Sequence, residues 1–130
     1  MISLLELQNL CTDCLKDAKT LFNAGRFDGA FYICGYVVEM GLKKKICSTL
    51  GWQGYPKTKK EFENFSSFKT HNLEVLLHLS GIEQEVKEKF MLEWSYVISW
   101  DPEIRYLSQK QSKQSAELML TSSEKLLSIL

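Results

Sequence analysis

Cys11 and Cys14 stand at the C-x-x-C spacing that redox and zinc proteins use. A redox pair belongs at a helix N-terminus after a strand, where the thiolate is stabilised. Here the surrounding pattern puts both sulfurs in mid-helix on the apolar side. Zinc would need further ligands, and the chain has no second C-x-x-C and no H-x-x-x-H. The pair therefore reads as small hydrophobes of a core, with no metal and no cofactor implied. His71 and His78 are the two histidines, seven residues apart, a longer step than paired ligands on a helix take. His71 is expected in the first turn of a short helix, where the dipole disfavours a protonated imidazole. As a base it would need a partner from elsewhere in the chain.

A second kind of chemistry lies between Lys43 and Lys60. Lys43, Lys44, Lys45, Lys57, Lys59 and Lys60 occur there with no acid among them, and Trp52 and Tyr55 separate the two clusters. Basic groups with interleaved aromatics can hold phosphates while stacking a base, so these eight residues are phosphate-binding candidates. The plainer alternative gives Lys43–Lys45 to the C-terminal end of a helix dipole and the rest to a solvated loop.

The elements that must position these groups are helical. Leu4, Leu7, Cys11, Cys14, Ala18 and Leu21 recur at steps of three and four, which predicts a helix from about Ser3 to Asn23. Ser3 and Glu6 form a capping box at its start, and Gly25 is suited to its end. A second helix is expected from Phe27 to Thr49, stopping near Gly51. Ala30, Cys34 and Gly41 give it a face of small residues with Val37 and Val38 between them, and Glu39 and Lys43 pair one turn apart. Phe62, Phe65 and Phe68 follow in a loop, three aromatics able to form a lid. A short helix capped by Thr70 carries Leu73, Leu76 and Leu77. A fourth runs from Ile82 to Ser99 with Val86, Phe90, Trp94 and Val97 inward. Pro102 makes the next turn, and the last helix spans about Gln109 to Ser128. The expected fold is all-α: an antiparallel up-and-down bundle of four long helices plus one short helix, in a single domain over 1–130.

Sixteen basic and sixteen acidic side chains cancel, which argues against a dedicated sequence-independent DNA binder. A hydrophobic share of 45% is too high for disorder and ordinary for a globular domain. The start of the chain has no basic leader and is broken by Glu6, so it does not read as a signal peptide. The expectation is a cytoplasmic protein with reduced thiols and no membrane partner.

The stretch from Gly25 to Lys43, the Thr70-His71-Asn72-Leu73 segment and Trp100 followed by Arg105-Tyr106 occur in the order that resembles HEPN domains. Together these landmarks span nearly the whole chain. That resemblance implies a helical domain that accompanies a small nucleotidyltransferase in a toxin–antitoxin-like pairing, or that holds a nucleotide or RNA in a cleft. It also implies a homodimer, for which Phe31, Tyr32, Tyr36, Trp94 and Trp100 offer an apolar patch. Arg105, Tyr106, His71 and Glu39 become the candidate binding residues. A structural alternative pairs Arg105 with Glu39 and packs Tyr106 in the core. Ribonucleases resembling this family carry a histidine four to six residues after an arginine. Here Gln109, Lys110 and Gln111 follow Arg105, and Ala30, Phe31 and Tyr32 follow Arg26. Glutamine is no general base and a lysine there stays protonated. The leading expectation is thus a non-catalytic interaction module. The alternatives are an atypical ribonuclease using His71 and Arg105, or a phosphate binder through the lysine segment.

Overall fold

A computed structural model describes residues 1–106 and 110–130, apart from the side chain of Arg105. Gln109, one of the positions weighed above, lies outside the described residues. The chain is predominantly helical, as expected from its periodicity. Helix α1 (Leu4–Asn23) begins at Ser3, whose hydroxyl accepts from the Glu6 amide while the Glu6 carboxylate accepts from the Ser3 amide. Gly25, at φ 76°, turns the chain into α2 (Phe27–Leu50), which ends at Gly51 with φ 69°. Leu21 lies against Gly29, Cys11 donates to the Val37 carbonyl, and Lys44 reaches Gln8. These pairings fix α1 and α2 as an antiparallel hairpin.

α2 is the axis of the molecule. From residue 29 to residue 47 none of its side chains is exposed, because α1 and the helices over Leu73–Ser80 and Lys113–Leu127 pack around it. Small residues permit that crowding. Gly35 faces the indole of Trp100, and Gly41 receives Leu127 and Leu130 from the C-terminal end. A two-residue ladder joins β1 (Ile2–Ser3) to β2 (Gly54–Tyr55) antiparallel, with Ile2 opposite Tyr55. A single turn (Ser66–Phe68) precedes α3 (Leu73–Ser80), which is capped by the side chain of Asn72, while the Thr70 hydroxyl accepts from the Asn72 amide.

The expected fourth long helix is two short ones, α4 (Glu83–Lys89) and α5 (Met91–Val97). They meet at Phe90, whose backbone (φ −128°, ψ 27°) leaves helical geometry while its amide still donates to Val86. Phe90 packs partly into the core, and that packing overrides a locally helical sequence. A short turn (Pro102–Tyr106) leads on, and α6 (Lys113–Leu127) starts at Ser112. Ala116, Met119, Ser123 and Leu126 are buried on α6, as its periodicity requires.

The apolar patch expected to join two copies is instead part of the core. Phe31, Trp94 and Trp100 are 5%, 2% and 4% exposed. Tyr32 and Tyr36 are half-buried; the Tyr36 ring meets Trp100 edge-on at 5.0 Å, and the Tyr32 carbonyl accepts from the Trp100 indole. Among the described residues no helix is long and apolar enough to cross a membrane.

Candidate functional site

Glu39 is the one charged side chain buried among the described residues, 4% exposed at the centre of α2. One carboxylate oxygen lies 2.5 Å from Nδ1 of His71. The other is 3.6 Å from the ammonium of Lys43, the partner one turn along the helix. Both contacts are needed, since a carboxylate taken from water costs several kcal/mol unless paired (roughly that order for any buried ion). Lys43 is shielded in turn, its ammonium 5.1 Å from the centre of the Tyr55 ring. Tyr55 is fixed by the β ladder and by its hydroxyl, which donates to the Phe68 carbonyl at 2.6 Å. Burial pushes its phenol well above the ordinary range.

His71 precedes α3 rather than occupying its first turn, and its side chain is 61% exposed. With Nδ1 on Glu39, a neutral ring donates there and keeps Nε2 as its basic nitrogen. A carboxylate behind an exposed imidazole is the arrangement that orients a general base. The described partners of Glu39 are thus Lys43, as the one-turn spacing suggested, and His71, which the spacing did not. Arg105 has its backbone in the turn after Pro102, and its side chain lies outside the described residues. Tyr106 is 73% exposed and so is not a core aromatic. His78 is far from this cluster in role, 3.3 Å from Glu83 on the surface.

The lysine segment divides. Lys43 turns inward to Glu39, and Lys44 bonds exposed Gln8 on α1. Lys45 is half-buried, and the Lys57 amide donates to Glu61, while its ammonium adds to the field on Glu6. Trp52 is packed against Phe65 and Phe68, with centroids 5.2 and 5.0 Å away, and Tyr55 is 1% exposed. Tyr55 therefore has no face for a base and leaves the stacking candidates, while Trp52 belongs mainly to the aromatic lid that Phe62, Phe65 and Phe68 complete. Lys59 and Lys60 remain outside, and they line a surface depression with Phe62, Glu63, Ser66 and Lys69. Ser66 and Lys69 lie beyond the acid-free run ending at Lys60, which is why charge counting alone did not reach them.

Burial raises the thiols of Cys11 and Cys34 to about 11 and about 12, and raises Cys14 and Cys47 as well. The Cys11–Cys14 pair thus lacks the stabilised thiolate of a redox motif. Among the described residues no three His, Cys, Asp or Glu side chains are grouped to hold a metal ion. Comparison with known protein families, with curated proteins and with solved structures finds no match to this chain.

Proposed function

We propose that this chain is a non-catalytic, HEPN-like interaction module that pairs with a second copy of itself or with a small nucleotidyltransferase-type protein. The observation that carries this reading is the Glu39 cluster. Glu39 engages both of its carboxylate oxygens, one with Lys43 and one with His71, and so clasps the segment before α3 to the central helix. In this reading α1, α2, the α4–α5 pair and α6 are the four arms of an up-and-down bundle, with α3 as its short insertion. Since the expected aromatic patch is core, the pairing face passes to the outer side of α5 and its C-terminal end. Met91 and Leu92 are 55% and 64% exposed at its start, and Ile98, just past its end, is 44% exposed. Sedimentation velocity at tens of micromolar, roughly an order above common dimer affinities, tests self-pairing. A dimer dissociated by Leu92→Glu is expected; a concentration-independent monomer would leave only the heterologous partner.

The exposed His71 ring on Glu39 favours one second reading, an atypical ribonuclease with His71 as base and Arg105 on the phosphate. Incubation with mixed single-stranded RNA separates the two. The module reading expects intact RNA, and cleavage abolished by both His71→Ala and Arg105→Ala would replace it.

A further inference from the structure

We infer that the depression between Lys59, Lys60 and Lys69 is a footing for the phosphate backbone of single-stranded nucleic acid, with Phe65 as its stacking platform. Three lysines and Ser66 line this one surface hollow. Glu63 is the single acid among the lining residues, so the hollow is locally cationic on a chain whose total charge is zero. The other acid of the segment is already neutralised, because Glu61 accepts from the N-terminal ammonium and from the Lys57 amide. No such neutralising partner holds Lys59, Lys60 or Lys69 among the described ion pairs.

A phosphate site becomes a nucleic-acid site when an aromatic face accompanies it. Phe65 directly precedes Ser66 in the chain and is 43% exposed, while Phe62 lines the hollow itself. Phe65 is also held in place, 5.2 Å from Trp52 and 6.3 Å from Phe68 by ring centroids. A ring already immobilised loses little entropy when a base stacks on it. An acidic protein segment would satisfy the lysines equally, but it would leave a rigid exposed phenyl ring unused. That difference favours nucleic acid and supplies the test.

The probe is a fluorescein-labelled oligouridine, titrated by anisotropy with the intact protein across a salt series. Three neutralised phosphates give a logarithmic salt slope of about −2, at roughly −0.7 each for single strands. Replacing Lys59, Lys60 and Lys69 together with Gln should abolish binding. Phe65→Ala should weaken it by roughly 5- to 150-fold with the slope unchanged, the range expected from losing one base–aromatic stack. Lys44→Gln should bind as the parent, and Glu63→Gln should bind more tightly. Circular dichroism confirms that each variant is folded. Absence of binding at low ionic strength would overturn the inference, as would a triple variant that binds normally. Affinity insensitive to Phe65→Ala, with a polyglutamate peptide competing as well as the oligonucleotide, would reassign the hollow to an acidic protein partner.

Discussion

Gly35→Ala is the smallest change expected to disrupt this fold. On an isolated helix it would help, since alanine is about 1 kcal/mol better than glycine in a helix interior. In place, a Cβ on residue 35 would overlap Cε2, Cδ2 and Nε1 of Trp100. The indole would have to retreat by well over an ångström from a site where it is 4% exposed. Its retreat also breaks the hydrogen bond from Nε1 to the Tyr32 carbonyl, 3.0 Å long, and the edge-on contact with Tyr36. Complete expulsion would forfeit about 4–6 kcal/mol, taking roughly 150–250 Å² for a tryptophan at about 25 cal/mol per Å². A partial shift costs about 1–3 kcal/mol of overpacking and about 1 for the hydrogen bond. After subtracting the helix gain, the net loss should be about 1–3 kcal/mol. At a slope of roughly 2 kcal/mol per molar urea, the midpoint should fall by about 0.5–1.5 M. The same substitution made over Trp100→Phe should cost at least about 1 kcal/mol less, because the smaller ring vacates the notch. A midpoint equal to or above that of the parent would mean the alanine gain stands unopposed, and the notch account would be wrong.

Three further outcomes follow from features already described. Lys43→Ala should destabilise by about 2–4 kcal/mol by stripping one partner from the buried Glu39, and adding Glu39→Gln should recover part of that loss in a urea double-mutant cycle. In native protein at pH 8 a thiol reagent should reach half-buried Cys14 first, leaving buried Cys11, Cys34 and Cys47 to react only on unfolding, as mass spectrometry of timed samples would reveal. Glu74 is held below the ordinary carboxylate value of 4.5, chiefly by Lys87 and also by the Trp94 indole. Its contribution is therefore present above that value and lost as pH falls through its lowered folded pKa, so Glu74→Gln should flatten the acid limb of stability against pH.

Much of the frame was legible because it is governed locally. Ser3 and Glu6 cap α1 within four residues, and Gly25 and Gly51 stop helices by adopting positive φ, so sequence suffices to place those ends. The interior of α2 was harder. Its residues are covered nearly all round, so there is no polar face against which an apolar patch can be recognised, and a core aromatic such as Phe31, or half-buried Tyr32 and Tyr36, looks like surface. The break at Phe90 carries no glycine or proline and arises from tertiary packing. Of the site, Glu39 with Lys43 is a one-turn pair and could be read directly. Glu39 with His71 joins positions 32 residues apart in the chain and belongs to the fold. The two-residue β ladder likewise has no signal of its own, but it immobilises Tyr55.

The central position of α2 also orders the folding reaction in time. Its pairing with α1 closes across a three-residue turn at 24–26, whereas the bond from the Gln111 amide to Asp28 spans 83 residues. Closing a loop costs more as it lengthens, by about 0.6 kcal/mol for each doubling, and local pairings form sooner. The α1–α2 hairpin should therefore be present in the transition state, and α6 should dock after it. Truncations at the hairpin interface, such as Cys11→Ala, which removes the thiol that donates to the Val37 carbonyl, would slow folding, while Met119→Ala would chiefly hasten unfolding. The lifetime of the native state is then controlled at the helix that arrives last.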